Sequence, residues 1–270
     1  MSRHSCVSTL PSFAPRRTTV QNLARPLRSS TIESTAERRL PEPKLRPLEV
    51  VLARTVLWYL RQVARSSEWA WLDSHGHAVD SAEVNPRLIG LARRGQPVLL
   101  SYYIADALGV ATLALVHGEF LRLMRTLRCL VDDTAAGRGS GAIIESLGGR
   151  YTLLPRLGDP DRLRGVQAVM AEGGSCVFPV DGGGPYRQVG TGVIGLAAAL
   201  NAVIVPFAVR VAPAGTFAPQ SRVRVPLPRC RLVAAMGDDI RVVRGGNRRA
   251  ASAALKEALD GLSVAVRGAF

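Results

Sequence analysis

The stretch "CVFPVDGGGPYRQVGTGVIGLAAALNAVIVPFAVRV", Cys176 to Val211, decides the fold. A short apolar run ends in Asp181, and Gly182, Gly183 and Gly184 follow. Next comes "TGVIGLAAALNA", rich in small residues and long enough for a helix. "VIVPFAVRV" then changes the composition to β-branched residues, which favour a buried strand. Asn201 and Pro206 argue against reading Val193 to Val209 as one membrane span. The order is therefore strand, glycine turn, helix, strand, as in a parallel crossover unit.

The same alternation extends both ways. "PVLLSYY" reads as a strand after a Gly-Gln-Pro turn, and "IADALGVATLALVHGEFLRLM" as one helix. "RCLVDD" and "YTLLPR" read as strands on either side of the helix "GSGAIIESLGG". "DPDRLRGVQAVMAEGG" is a helix with Asp159 as N-cap and Pro160 in its first turn. "SCVFPV" and "RVRVPLPRCRLVAAMG" are strands, and "RRAASAALKEALDGLSVAVRG" is a terminal helix. Together these predict an α/β fold, with a mixed, partly parallel sheet flanked by helices.

The chain has 270 residues, 47% of them hydrophobic, enough for one substantial core. Lys and Arg number 35 against 21 Asp and Glu, a net charge of +14. Phosphate-bearing partners suit that balance: anionic lipid headgroups, phosphorylated metabolites or nucleic acid. Aromatics make up only 5% and do not interleave with basic residues, so no nucleic acid is expected. Cys6, Cys129, Cys176 and Cys230 are far apart and include no CxxC pair, which predicts free buried thiols and no metal site.

Residues 1–46 read as a basic disordered tail or a targeting segment, with five arginines and no acid up to Ile32. Residues 47–270 read as the folded domain. Within it, 47–66 predicts an amphipathic helix carrying Trp58 and Tyr59. Glu49, Arg54, Arg61 and Arg65 make it too charged to span a membrane. Two settings suit it, a membrane interface or the protein's own core.

Asp181 and the glycines stand where open α/β sheets bind ligands, beyond the carboxyl end of a strand. Glycines there let backbone amides approach an anion, and Arg187 can neutralise a phosphate. An ordinary Asp-Gly turn fits the same residues.

The ordered set "VFPVDGGGP", "GTGVIGLAAAL", "AVIVPFAVRV" and "VRVPLPRCRLVAAMGDDI", over roughly residues 90–245, resembles the lysophospholipid acyltransferase-like superfamily, which has the glycerol-phosphate acyltransferase fold. It looks closest to a bacterial branch whose substrate motif reads Asp-Gly-Pro-Arg-Gly-Pro. The resemblance implies transfer of an acyl chain from acyl-CoA or acyl carrier protein to a lysolipid or related lipid hydroxyl. These donors would be co-substrates, with no bound cofactor. It also implies peripheral attachment to an anionic membrane surface on the cytoplasmic face. Asp181, Gly182, Gly183, Gly184 and Pro185 would hold the acceptor's polar head, with Arg187 in place of the motif's arginine.

The family's logic is general-base catalysis by an imidazole oriented by a carboxylate, and here the chain departs from the pattern. Within the resembling stretch, roughly residues 90–245, no histidine begins a His-x4-Asp signature; His75 and Asp80 have that spacing but precede it. Tyr103 occupies the expected histidine position and Ala136 the expected aspartate position. Tyrosine, with a pKa near ~10, is a poor base at neutral pH. A second register places His117 of "VHGEF" at the histidine position; otherwise His117 is a helix-surface residue. Asp133 is a candidate carboxylate or a solvated turn. Two functions stay open: an acyltransferase with a rearranged catalytic set, or an inactive homologue that binds lipid or regulates a partner.

Overall fold

The computed structural model describes residues 46–93, 95–155, 159, 161–162, 165–166, 169, 175–182, 186–216 and 223–270. The predicted tail at 1–45 lies outside them, as do Gly183, Gly184 and Pro185 and much of the helix expected after Asp159. At that helix's start, Asp159 accepts from the amide of Asp161 at 2.9 Å, as an N-cap should.

The sheet is mixed, and its strand order is β2-β1-β8-β7-β3-β6-β4-β5, with β9 on β7. The centre is β3 (Val98–Tyr102), β6 (Cys176–Pro179), β4 (Arg128–Asp132) and β5 (Arg150–Leu154), all parallel to their neighbours. β7 (Val203–Thr216) continues this parallel run beside β3. β8 (Arg224–Met236) returns antiparallel to β7, and β1 (Glu68–Leu72) lies parallel to β8. Short β2 (Ala78–Val79) and β9 (Ile240–Arg241) pair antiparallel to β1 and β7.

Side-chain alternation along the strands divides the core between two faces. Val98 and Leu100 join Trp71, Leu113, Phe120 and Phe207 on one face. That face is covered by α1 (Pro47–Ser66), α2 (Ser81–Arg93), α3 (Ala107–Val116), α4 (Gly118–Thr126) and α5 (Ala135–Ser146). Leu99 and Tyr103 point to the other, beneath α6 (Thr191–Leu200) and α7 (Arg248–Gly268). The predicted fold class is the observed one. The run from Val193 to Val209 is a helix followed by a buried strand. Among the described residues, no single helix is long and apolar enough to cross a membrane.

One expected helix is three pieces. Ile104–Asp106 form a single 3-10 turn, and α3 and α4 meet at a bend of 117°. The break falls at His117, which is extended (φ −118°, ψ 105°) and caps α4 by accepting from the Phe120 amide at 3.1 Å. His117 is not a helix-surface residue; it is 5% exposed, with its ring edge-on between Trp69 and Trp71.

α1 is joined to the body along its length. Glu49 accepts from Arg138 of α5 at 2.8 Å, and the Tyr59 hydroxyl donates to the Pro226 carbonyl at 2.7 Å. Ala53, Leu57, Leu60 and Val63 form the buried stripe. The opposite stripe carries Leu48, Val51, Leu52 and Trp58, each more than half exposed. The helix packs one face on the core and turns the other outward.

Candidate functional site

The carboxyl ends of β3 and β6 lie side by side, with the Val180 amide donating to the Tyr102 carbonyl at 2.8 Å. Asp181 stands two residues past the end of β6 and is 3% exposed. Its Oδ1 accepts from the Ile104 amide at 2.8 Å and its Oδ2 from the Arg187 amide at 3.0 Å. One carboxylate thus ties the turn after β3 to Arg187. Gly182 packs tightly there, since a Cβ would come within 3.0 Å of Pro179 Cγ.

Arg187 takes a left-handed backbone (φ 58°), which brings its side chain back over the corner. Its guanidinium lies 4.8 Å from the Tyr103 ring centroid and 5.9 Å from that of Tyr186. Such stacking is worth ~0.5–1 kcal/mol at a partly exposed position. Its Nε is 3.8 Å from Asp260 of α7. Asp260 also accepts from the Tyr103 hydroxyl at 3.1 Å and pairs with Lys256. Burial pushes the Asp260 carboxyl up, but Lys256, Tyr103 and Arg187 outweigh it and the net shift is downward. Burial, with Asp260 beside it, raises the Tyr103 hydroxyl well above the ordinary tyrosine range. Tyr103 therefore stays protonated and donates.

Asp106, which sequence reasoning passed over, is the second buried carboxyl near this end of β3. It pairs with Arg224 at the start of β8 and accepts from the Val209 amide at 3.5 Å. Burial raises its pKa to about 6, against the pull of Arg224. Asp106 stands five residues after Ser101. The sequence signal for Asp106 was an acid inside an apolar run. Ser101 is wholly buried and its hydroxyl points to the Leu99 carbonyl at 3.4 Å.

The other predicted residues stand elsewhere. Asp133 follows β4 and pairs with Arg138 at 2.6 Å. Ala136 is exposed in the first turn of α5. His117 contacts Trp71 and Phe120, on the sheet face opposite Tyr103. Burial lowers its pKa, so the ring is neutral near pH 7, and with Nδ1 accepting from Phe120 its proton sits on Nε2. Cys129, Cys176 and Cys230 are free and buried. Burial pushes the Cys129 and Cys176 thiols up to about 12, so neither offers a thiolate at neutral pH.

The corner can hold a polar group against Arg187 and Lys256. What it does not supply, among the described residues, is an imidazole.

No family model and no curated protein matches the chain. Among solved structures, it is similar to the crystal structure of the 1-acyl-sn-glycerophosphate (LPA) acyltransferase PlsC from Thermotoga maritima. The two share 12% identity with a TM-score of 0.42, over 81% of this chain and 84% of that one.

Proposed function

We propose that this chain is an acyltransferase-like protein that works peripherally on the cytoplasmic face of a membrane and binds lipid without transferring acyl groups. One observation carries the reading: among the described residues, the corner at the carboxyl ends of β3 and β6 offers no imidazole to act as general base. Ser101, five residues before the buried Asp106, or Tyr103, the position read from the sequence, stands where the resemblance would put the histidine. The first is buried on a backbone carbonyl, and the second is a protonated tyrosine held by Asp260. Asp181 has both oxygens on backbone amides.

The outward stripe of α1 supports the membrane partner. Leu48, Val51, Leu52 and Trp58 are exposed beside Arg54, Arg61 and Arg65, and the helix's one acid, Glu49, is turned inward on Arg138. An apolar stripe flanked by cations suits the interface of an anionic leaflet.

The second reading, acyl transfer from acyl-CoA or acyl carrier protein to a lysolipid, is favoured by the order of segments and by the placement of Asp181 and Arg187 beyond parallel strands. Two assays on the full chain separate the readings: co-sedimentation with phosphatidylglycerol-containing vesicles, and donor consumption with a panel of lysolipids. Vesicle binding with no donor consumed is the expected result. Turnover by folded protein would establish the transferase instead, and failure to bind vesicles would remove the membrane partner.

A further inference from the structure

A cavity of about 340 Å³ lies on the α1 side of the sheet, lined by Arg61, Ala64, Arg65, Ser67, Trp69, Leu115 and Val116. It is not at the Asp181 corner. Its strand, β1, is separated from β6 by β8, β7 and β3, and the corner's Tyr103 and Asp260 lie on the other sheet face. The volume is that of a small-molecule site.

Its chemistry is divided. Arg61 and Arg65 stand one helical turn apart on α1, and neither forms an ion pair with a described carboxylate. Arg65 makes only a long contact, 3.5 Å, to Gln62. The acid nearest in sequence, Glu68, alternates with Trp69 along β1 and so points to the opposite face of that strand. Leu115 and Val116, the last residues of α3, give an apolar surface. Trp69 is 37% exposed and is braced by the buried His117 ring at 5.0 Å. The Ser67 hydroxyl is already engaged with the Val63 carbonyl at 2.6 Å, leaving the two guanidiniums as the polar anchors.

The cavity also continues the outward stripe of α1. Val51, Trp58 and Arg65 follow at seven-residue spacing and so lie along one line of the helix, with Arg54 and Arg61 beside it. A helix lying in a membrane interface along this stripe carries the cavity's mouth at headgroup depth. Paired guanidiniums suit phosphate oxygens, and a tryptophan suits the boundary between headgroup and acyl chain.

We infer that this cavity is a headgroup site for an anionic phospholipid: Arg61 and Arg65 take the phosphate, and Trp69, Leu115 and Val116 take the root of an acyl chain. The inference rests on the membrane reading above and adds the site and the lipid class to it.

The test measures binding of the full chain to phosphatidylcholine vesicles with and without phosphatidylglycerol, for wild type and three variants. Arg61→Gln/Arg65→Gln removes the phosphate anchors. Ala64→Leu fills the cavity and leaves every charge in place. Arg244→Gln/Arg249→Gln removes the same net charge from exposed positions away from α1. Each basic residue near an anionic surface contributes on the order of a fivefold change in affinity, so the α1 double variant should lose about tenfold or more. Ala64→Leu should weaken binding without lowering the melting temperature, and the Arg244/Arg249 variant should bind within about twofold of wild type. If the Arg61/Arg65 and Ala64 variants both bind like wild type, the site is overturned while the membrane reading stands. If wild type binds no anionic vesicle, it is the membrane reading that falls. Glycerol 3-phosphate is the soluble arm: if it alone shifts tryptophan emission in wild type and not in Ala64→Leu, the occupant is a soluble phosphate and the lipid assignment is overturned.

Discussion

At the residue scale, Asp181 gives both oxygens to backbone amides of different segments, so its first role is structural. Asp181→Ala leaves two partly buried N–H groups without an acceptor, at ~1–3 kcal/mol each. A loss of ~2–4 kcal/mol in urea unfolding is expected, and Asp181→Asn, which keeps one acceptor, should lose about half of that. Unchanged stability in Asp181→Ala would show that these contacts do not hold the corner. Asp106 makes a pH-dependent case. Its folded pKa is raised from 3.8 to about 6, so the folded state binds its proton more tightly than the unfolded chain does. The stability this group contributes is therefore complete below its unfolded pKa of 3.8 and is lost as pH rises through about 6. Compared with Asp106→Asn over that window, wild type should lose stability as pH rises. A flat difference would mean that Arg224 offsets the burial.

At the element scale, the join between β4 and α5 is fixed by a backbone approach that only glycine allows. A Cβ on Gly137 would lie 1.9 Å from the Asp132 carbonyl oxygen, and both partners of that clash are backbone. Gly137→Ala should therefore cost ~1–3 kcal/mol, as overpacking does, and chemical denaturation will show it. Gly139→Ala, whose Cβ meets nothing within 4 Å, is the matched control. The elements that sequence revealed best were those whose composition changed at their ends: the β-branched run of β7, the small-residue α6, and the strands bounded by turns. α3 and α4 read as one helix because apolar periodicity continues across His117. Their separation is tertiary, set by the cap on Phe120 and the two tryptophan rings. Asp181 and Arg187 were legible as members of one turn because they are close in sequence, whereas the pairing of β3 with β6 that brings Tyr103 beside them is tertiary. Asp260 and Arg224 were not, because they reach the corner from α7 and β8, distant in sequence and without a local pattern.

At the scale of the whole molecule, charge and shape act together. On the membrane reading proposed above, the net charge of +14 would give a long-range attraction to anionic surfaces and the exposed α1 stripe a short-range apolar contact. The two respond differently to salt. Raising ionic strength from about 0.1 M to about 1 M shortens the Debye length from ~10 Å to ~3 Å, which removes the first term and leaves the second. Binding to anionic vesicles should therefore fall steeply with salt but retain a residual fraction. That fraction should fall about tenfold or more in Trp58→Ala, since a fully inserted large side chain is worth ~1.5–3 kcal/mol and Trp58 is 62% exposed. Trp58→Ala should leave thermal stability unchanged for the same reason. If high salt abolishes wild-type binding completely, the stripe does not insert, and the attachment is electrostatic attraction alone.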